Sequence, residues 1–367
     1  MTEQLKENAA RALLDPAYAE TILKLGVALS VLDDEGADIA FFHQLLQEYF
    51  AARQFANLTD LSFTRVEWEA DKVQPPLAEA LAELQKQRGG YLPPLKQTEW
   101  AETALTAGPV ADNADVFIGE LQRHNLPLAA SCAASPESKV SATVKAELRE
   151  ALLVRMRDAN ADLRARIVAG EALGWLGDPR FKRQPGKHGD YLQPLLVAIA
   201  AGTYHIGVNQ GRYDDEQPEH AVQLAAFQLG QYPVTNAEYK LFIEAGGYDD
   251  ERWWETVAAR DWLRDESEHL PEYWDDPRFN NPAQPVVGVS WFEARAYCAW
   301  LTATAATGEV YRLLSEVEYE AATRGRVGRM YAYGDDFDAM EKSAQQMLAV
   351  LQGIPGAADA KAEQTEG

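Results

Sequence analysis

Ser290-Trp-Phe-Glu293 and Ser315-Glu-Val-Glu318 repeat one pattern, which also occurs as Thr235-Asn-Ala-Glu238. In each, a hydroxyl side chain precedes a glutamate by three positions. The pattern predicts a capping box, in which the hydroxyl accepts from a first-turn backbone N–H and the glutamate accepts from the N–H of the capping residue. The three patterns lie among strand-like segments rich in aromatic residues. The sequence therefore predicts an α+β domain with short helices in the C-terminal half.

The neighbouring segments outline this domain further. The apolar run at 195–201 is expected to lead into a first β-hairpin, followed by a polar turn at 209–215 and a strand around 221–229. The helix after Thr235 is expected to end at Gly246-Gly247, since glycine is the usual residue after a helix C-terminus. In the helix after Ser290, the spacing predicts one apolar face, made of Trp291, Ala294, Cys298 and Leu301.

Six short motifs in this half occur in a family-like order and spacing. They are Gly202-Thr-Tyr-His-Ile-Gly207, Asp215-Glu-Gln-Pro-Glu-His220, Pro233-Val-Thr-Asn236, Gly288-Val-Ser-Trp-Phe-Glu-Ala294, Tyr311-Arg-Leu-Leu-Ser-Glu-Val-Glu-Tyr319 and Tyr331-Ala-Tyr-Gly-Asp335. Together they resemble the sulfatase-modifying-factor family, whose founding members are formylglycine-generating enzymes. The resemblance implies a C-type-lectin-like fold. It also raises the question of an oxidase that converts a substrate cysteine to formylglycine.

The resemblance fades near residue 338. Active family members resemble one another in a later Gly-Asn-Val-Trp-Glu-Trp-like stretch, calcium loops, a copper-binding cysteine pair and a closing Arg-Gly-Gly-Ser-Trp-like strand, none of which occurs here. We therefore expect an incomplete domain at 195–338 that lacks its last strands, and an unrelated, disordered tail at 339–367. No copper or calcium cofactor is expected unless such a segment were restored.

Metal ligands are sparse in the sequence. Copper(I) prefers closely placed thiolates, and Cys132 and Cys298, the two cysteines, are each interpreted as small buried apolar residues. Sulfoxide-synthase relatives use iron held by histidines, but the N-terminal half contains no His-x-x-x-His pair. The acidic clusters lack the alternation of a calcium loop and are interpreted as solvated turns. We expect no metal site and no catalytic residues in the chain.

The N-terminal half shows helical periodicity. Residues 41–53, with an apolar stripe from Phe42 to Phe50, resemble the helix that closes the winged-helix region of NACHT-type signalling ATPases. A plain core helix fits the same residues equally well. No Gly-x-x-x-x-Gly-Lys-Ser/Thr motif occurs, so this chain would be the helical, sensory part that follows such an ATPase core.

The stretch Asp162–Arg180 resembles one HEAT-type helix. An apolar face runs from Leu163 to Leu176, Gly177 supplies a left-handed cap and Pro179 prevents continuation. One such helix cannot bury its face alone, so it should pack on helices at 141–158 and 77–87. The region lacks a strict repeat and is expected to form an irregular HEAT-like helical array.

These observations divide the chain into segments. The expected divisions are a NACHT-like helical segment at 1–60, a HEAT-like region at 61–181, a polar linker at 182–194, the sulfatase-modifying-factor domain at 195–338 and the tail at 339–367. The fold class is multidomain α+β.

Composition limits the possible settings. The 367 residues carry a net charge of −23, which argues against nucleic-acid partners because these need clustered Lys and Arg. The N-terminus lacks a basic segment followed by an apolar core, and no apolar run is long enough to span a membrane. With so few cysteines, a reducing cytoplasm is the expected compartment.

Two functions remain open from the sequence. The favoured one is a non-catalytic recognition or scaffold protein, which presents its lectin-like domain to an unknown ligand or protein at the sensory end of a signalling ATPase. The alternative is a truncated or frameshifted formylglycine-generating-type oxidase acting on a sulfatase cysteine. The candidate ligand-binding residues are the aromatic-loop tryptophans and two neighbours of the last capping box: Trp253, Trp254, Trp262, Trp274, Arg312 and Glu316.

Overall fold

The computed structural model describes residues 32–34, 39–41, 44–86, 94–209, 216–265, 270–330 and 332. The chain forms two compact units, a first unit of Met1–Gln74 with Pro94–Leu176 and a second unit of Pro75–Pro93 with Gly177–Gly367. Residues 210–215 of the turn predicted at 209–215, the tail at 339–367 and most of the Tyr331–Asp335 motif lie outside the described residues.

The first unit is mainly helical. Its described elements are β1 (Leu32–Asp34), β2 (Ile39–Phe41), α1 (Gln44–Phe55), two short 3-10 turns (Ser62–Thr64 and Glu67–Ala70), α3 (Ala101–Val110), α4 (Ala114–Gln122), α5 (Leu126–Ala134), α6 (Ala142–Arg157) and α7 (Leu163–Leu176). Helix α2 (Leu77–Lys86) is grouped with the second unit.

Polar residues start the helices of the first unit. Asn113, Asn125 and Ser141 each accept a hydrogen bond from a backbone N–H one turn on, which satisfies a donor that the helix itself leaves open. Small residues in α5, including the buried Cys132, allow neighbouring helices to approach closely. The core is completed by larger apolar side chains such as Leu148 and Leu173, which are fully buried.

The predicted helix at 163–176 is confirmed. α7 ends at Leu176, and Gly177 follows with φ of 90°. This φ lies in the left-handed region, which glycine adopts without steric cost at the end of a helix. α7 packs against α6, as predicted, and against α5. The other predicted neighbour, α2, belongs to the second unit.

The apolar face predicted for the helix at 41–53 is wrong in its described part. Tyr49 and Phe50 are 40% and 47% exposed, whereas Ala52 and Phe55 are buried. The buried face is therefore shifted toward the C-terminal turn of α1, because Phe55 packs edge-on against Phe117 in the core. Phe42 and His43 lie outside the described residues.

The second unit combines paired strands with capped helices. Besides α2, its described elements are β3 (Lys182–Gln184), β4 (Tyr191–Gln193), β5 (Leu196–Ile199), β6 (Gly202–Ile206), β7 (His220–Leu224), β8 (Phe227–Gly230), α8 (Asn236–Glu244), a 3-10 turn (Glu251–Trp253), α9 (Val257–Asp265), α10 (Trp291–Ala305) and α11 (Glu316–Arg324).

All strand pairs described in this unit are antiparallel. β3 pairs with β4, β5 with β8 and β6 with β7. In β6 the side chains alternate, so that Tyr204 and Ile206 are buried while Thr203 and His205 face outward. The predicted linker at 182–194 instead contains β3 and β4, joined by the turn that includes Gly189 at φ of 115°.

The three capping boxes are confirmed. Thr235, Ser290 and Ser315 each accept from the N–H of the glutamate three residues on, and that glutamate accepts from the cap's own N–H. The face predicted for α10 is wrong, since Trp291 is 56% exposed. The buried apolar residues are Ala296, Tyr297, Trp300 and Leu301, so Leu301 is the one member of the predicted face that is buried.

The aromatic stretch between α8 and α10 is ordered against α8. The Asn236 side chain donates to the carbonyls of Phe279 and Asn281 at 2.6 and 2.9 Å, and Thr235 forms a bridge with Pro285. The stretch contains helix α9, so the segment that carries the aromatic-loop tryptophans is partly helical.

Helix α11 is fastened to the β6–β7 pair. The N–H of Gly207 donates to Glu320 Oε1 at 2.7 Å, and Arg324 donates to the Gly207 carbonyl at 2.9 Å. Arg326 donates to the carbonyl of Ala201 at 2.6 Å. Ala321 of α11 is buried with Tyr204 and Ile206 in a small core.

None of the helices in the described ranges combines the length and apolar content that crossing a bilayer requires.

Candidate functional site

A cleft opens in the second unit beside the β5–β8 pair. It comprises a hollow of about 410 Å³ and an adjoining one of about 350 Å³, which share Leu195, Leu196, Gln228, Glu309 and Tyr311. The walls of the larger hollow are mostly apolar. The larger hollow is bounded by one side of α10 and by the extended segment that precedes α11, and its residues include Phe181, Phe227, Leu229, Tyr297, Cys298, Leu301, Val310 and Leu314.

Charged side chains of both signs line the cleft. Arg180 and Lys182 line the smaller hollow, Arg312 and Glu238 the larger, and Glu309 lines both. Arg312 is held by Glu318, whose two carboxylate oxygens accept from its guanidinium at 2.6 and 2.7 Å. Such a two-point contact fixes the plane of the guanidinium.

Glu238 connects the cleft to a helix start. Its Oε2 accepts from the N–H and the hydroxyl of Thr235, both at 2.8 Å. Burial raises the pKa of this carboxyl, because desolvation outweighs the hydrogen bonds from Thr235. One glutamate thus closes the capping box of α8 and lines the cleft.

The titratable groups on the α10 side of the cleft keep their protons. Burial raises the pKa of the Cys298 thiol to about 11, and burial followed by the hydrogen bond to Glu309 raises the pKa of Tyr311 to about 12. The pKa of Tyr297 is raised well above its ordinary value, first by desolvation and then by the charge of Glu238. At neutral pH these groups are hydrogen-bond donors, not nucleophiles.

The candidate residues from the sequence do not converge on this cleft. Of the six, Arg312 lines it, while Glu316 is exposed outside its lining. Trp253 and Trp254 are buried in the aromatic core of the unit, and Trp262 and Trp274 pack against that core half-buried. That these six residues bind a ligand stays a prediction.

The sequence analysis missed most of the cleft. Cys298 was interpreted as a buried apolar residue, yet it is only partly buried and lines the larger hollow. Glu309 and Tyr311 precede the last capping box. The Tyr311 backbone is held by Thr302, whose hydroxyl accepts from its N–H at 2.9 Å and donates to its carbonyl at 3.2 Å. The Tyr311–Tyr319 motif was the one signal that marked this segment.

A buried group of hydroxyl and carboxyl side chains lies at the start of α10. Tyr248 donates to Glu293 Oε1 at 2.6 Å, and the hydroxyls of Tyr239 and Tyr248 are 3.1 Å apart. Glu293 also closes the capping box of α10, where its Oε2 accepts from the N–H of Ser290 at 2.6 Å. The three side chains are almost fully buried.

The cysteines do not fit a copper site made of two thiolates. Cys132 belongs to the first unit and Cys298 to the second. Burial raises the pKa of Cys132 to about 12, so this thiol, like that of Cys298, stays protonated. Copper(I) is held by deprotonated sulfur, which neither residue offers.

Among the described residues, one group of carboxylates and a histidine brings three ligand atoms within 4.8 Å: Asp60, Glu120 and His124 of the first unit. The group is already paired. Arg65 donates to Nδ1 of His124 at 3.1 Å, which leaves the imidazole proton on Nε2, where it is donated to Glu120 Oε1 at 3.1 Å. The imidazole and Glu120 are thus held by hydrogen bonds within the group, and these contacts suffice to bring the side chains together.

Comparison with known proteins shows which family the second unit matches. The family profile described as sulfatase-modifying factor enzyme 1-like domain matches residues 182–366, half of the chain. The chain is 28% identical over 317 residues to hercynine oxygenase of Mycolicibacterium thermoresistibile, which covers 78% of this chain and 68% of that protein. That alignment is longer than the family match and so includes part of the helical first unit.

Two shorter matches lead to the same kinds of protein. The hercynine oxygenase of Mycolicibacterium smegmatis is 36% identical over 141 residues, covering 34% of this chain and 30% of that protein. The formylglycine-generating enzyme of Streptomyces coelicolor is 33% identical over 172 residues, covering 38% of this chain and 50% of that enzyme. The chain thus spans a third to two thirds of these relatives.

These matches correct the expected function. The expectation of a non-catalytic recognition or scaffold protein is wrong, because the relatives are named as enzymes. The expected resemblance to the formylglycine-generating enzymes is confirmed at the level of the family domain.

Proposed function

This chain belongs to the family of the sulfatase-modifying factor enzyme 1-like domain, and on that basis we propose that it is an oxygen-using oxidoreductase. Its substrate is a small, zwitterionic molecule derived from an amino acid, bound in the cleft of the second unit. The single observation that carries the substrate assignment is the mixed lining of that cleft, which combines apolar walls with cations and carboxylates. The oxidation chemistry comes from the names of the relatives.

The size of the cleft supports a small substrate. Small-molecule sites usually enclose roughly 300–1,000 Å³, and the larger hollow has about 410 Å³. The side chains of Leu196, Phe227 and Leu301 would surround the apolar part of the substrate and exclude water from it. Water exclusion strengthens each polar contact at the rim, because charges are screened less.

The charges around the cleft support a zwitterion. In a chain with net charge −23, this lining places Arg180, Lys182 and Arg312 near the carboxylate of Glu309. A substrate carboxylate would be attracted to the basic side chains and a substrate ammonium group to Glu309. Arg312 is a positioning residue, since its guanidinium is already oriented by Glu318.

The described residues limit the mechanism. The thiol of Cys298 and the phenol of Tyr311 are protonated at neutral pH, so they can orient a substrate by donating hydrogen bonds. Oxygen chemistry in such enzymes relies on a metal, and the described cysteines do not fit a copper site made of two thiolates. The proposal therefore assigns binding and orientation to this cleft and derives no step through a metal.

The test is oxygen uptake by the full chain supplied with iron(II) or copper(I). Hercynine with a thiol and, separately, a cysteine-containing peptide would be offered as substrates. We expect uptake with a small zwitterion, and a loss of kcat/KM in Leu196→Trp, which adds bulk at a partly buried position that lines both hollows. Val327→Trp is the matched control, because Val327 is 83% exposed and lies outside the lining. Equal rates in both variants, or no uptake with any substrate, would contradict the proposal.

A second candidate is oxidation of a cysteine within a peptide. It is supported by the match to a formylglycine-generating enzyme and by the extended segment 310–314 along the cleft, which a peptide could follow. Uptake with the peptide and none with hercynine would select this candidate.

Finer features of the architecture also remain proposals. We propose that the second unit has a C-type-lectin-like fold, that the helices of the first unit form a HEAT-like array, and that residues 1–60 follow a NACHT-type ATPase core. Cytoplasmic location and the absence of nucleic-acid and membrane partners are proposed from the composition alone.

A further inference from the structure

The hydroxyl of Tyr248 is paired with a carboxylate inside the core. Its 2.6 Å hydrogen bond to Glu293 Oε1 is in the short range of bonds between a hydroxyl and a charged acceptor. Tyr248 is 7% exposed and Glu293 is 3% exposed, so bulk water has little access to this pair. A proton that leaves Tyr248 therefore has Glu293 as its nearest acceptor.

Glu293 is held in place to receive that proton. Its other oxygen accepts from the N–H of Ser290 at 2.6 Å, at the start of α10. The capping box thus fixes the carboxylate and leaves Oε1 directed at the phenol. Burial raises the pKa of Tyr248 above its ordinary value, so the phenol does not ionise on its own at neutral pH.

A row of indole rings connects Tyr248 with the surface. The ring of Trp254 lies 5.7 Å from the ring of Tyr248, and the ring of Trp262 stacks on Trp254 at 5.4 Å with an interplanar angle of 16°. Trp254 is 1% exposed, whereas Trp262 is only partly buried. An electron can move through such a row in short steps between neighbouring rings.

We propose that Tyr248 is a redox-active tyrosine, which fills an electron vacancy created on the Trp254–Trp262 stack and passes its phenolic proton to Glu293. The oxidant is a strong one-electron acceptor, such as a metal(III) polypyridyl complex or a radical by-product of oxygen chemistry. The oxidant gains one electron from Trp262, Trp262 regains it from Trp254, and Trp254 from Tyr248. The O–H bond of Tyr248 breaks, an O–H bond forms on Glu293, and a neutral tyrosyl radical remains.

This role differs from a purely structural one in what it predicts. A buried phenol needs a hydrogen-bond partner in any case, and a structural pair would affect stability alone. A redox-active tyrosine must in addition supply an electron to oxidised Trp262 through Trp254. The inference does not depend on the proposed function, since an external oxidant tests it.

The experiment is flash photolysis of the full chain with a ruthenium polypyridyl complex and a sacrificial electron acceptor, followed by optical and electron paramagnetic resonance spectroscopy. We expect a tryptophan radical that decays into a tyrosyl radical. The tyrosyl signal should be lost in Tyr248→Phe and kept in Tyr319→Phe, a control at a 63% exposed tyrosine. Glu293→Gln keeps a side chain suited to the capping box but accepts no proton, so the tyrosyl radical should form more slowly.

Trp262→Phe tests the same electron route without altering a fully buried residue, because Trp262 is only partly buried. It should fold and yet give less tyrosyl radical. An unchanged tyrosyl signal in Tyr248→Phe, or a tryptophan radical in the unmodified protein that decays without any tyrosyl signal, would overturn the proposal.

Discussion

Glu238 and Glu293 are buried carboxylates that close capping boxes, but their surroundings differ. Glu293 accepts from the hydroxyl of Tyr248 as well as from Ser290, whereas both partners of Glu238 belong to Thr235. Burial raises the pKa of Glu238, so its ionised form opposes folding at neutral pH. A neutral side chain of the same shape should therefore be tolerated at position 238.

We predict that Glu238→Gln leaves the free energy of unfolding at pH 7 unchanged or higher, because glutamine can still accept from Thr235. The pKa of Glu238 is higher in the folded state than its ordinary value of 4.5, so the unmodified protein should lose stability as the pH rises above 4.5. The variant should lose less stability over the same pH range. Urea unfolding at several pH values measures this. Glu238→Ala is the comparison, with a loss of about 1–2 kcal/mol expected for a missing cap. A similar loss in Glu238→Gln would contradict the argument.

Glu318 titrates in the opposite sense. The guanidinium of Arg312, and next the N–H of Ser315, lower its pKa from 4.5 to about 2. Its stabilising contribution should be complete above pH 4.5 and should be lost as pH falls toward 2. We predict that Arg312→Gln raises the pKa of Glu318 in an NMR titration, while Arg326→Gln, which removes a guanidinium bonded to Ala201, does not. A pKa still near 2 in Arg312→Gln would assign the effect to the capping N–H.

Local signals predicted the caps but not the cleft. A capping box is a relation between residues three positions apart, so Thr235, Ser290 and Ser315 could be identified from sequence alone. The cleft joins Leu196, Gln228, Cys298 and Tyr311, which are distant in sequence and share no local pattern. Tryptophans suggested a binding loop, but apolar area drives them into the core when partners are available.

Helix α4 contains a glycine with room for a side chain. A Cβ at Gly119 would have no neighbour within 4 Å, so the packing around this helix does not require glycine at this position. We predict that Gly119→Ala raises the free energy of unfolding by about 0.5–1 kcal/mol, because alanine loses less backbone entropy on folding. Urea unfolding followed by circular dichroism checks the value. A decrease would mean that α4 is strained by the added methyl group.

The turn after α8 is the opposite case. A Cβ on Gly247 would lie 2.3–2.5 Å from ring carbons of Phe242, which is itself fully buried. We predict that Gly247→Ala lowers the free energy of unfolding by about 1–3 kcal/mol, the usual range for overpacking a core. Differential scanning calorimetry of this variant and of Gly119→Ala gives shifts of opposite sign. A thermal midpoint unchanged by Gly247→Ala would show that Phe242 can move aside.

Element boundaries were predictable where glycine or a cap marks them, and faces were not. Gly177 and Gly246 ended their helices as expected. The buried face of α10 was shifted because so many of its residues are apolar or aromatic that spacing alone could not rank them. The β3–β4 pair was taken for a linker since its residues are polar and short strands carry little periodicity.

Each unit of the molecule has its own core. Leu148 is fully buried in the first unit and Phe242 in the second. We predict that Leu148→Ala lowers stability by about 2–5 kcal/mol and Phe242→Ala by about 3–5 kcal/mol. Hydrogen exchange with mass spectrometry on the full chain should show faster exchange within the altered unit.

The matched comparison is the other unit in each variant, which should keep its protection. If both units lost protection together in either variant, the chain would unfold as one cooperative body, and the division at Leu176 would have no thermodynamic meaning.

The hydrogen bond from Gly207 to Glu320 joins residues that are 113 positions apart, and the hydrogen bond from Arg326 to Ala201 joins residues that are 125 positions apart. A ribosome adds about 5–20 residues each second, so the helix partner of the β6–β7 pair emerges roughly 6–25 s after the strand itself. A two-stranded pair is only marginally stable alone. During each round of synthesis the side chains of Tyr204 and Ile206 are therefore exposed until α11 is made. A translational pause before residue 316 would lengthen the time in which chaperones can bind the nascent chain or in which it can aggregate.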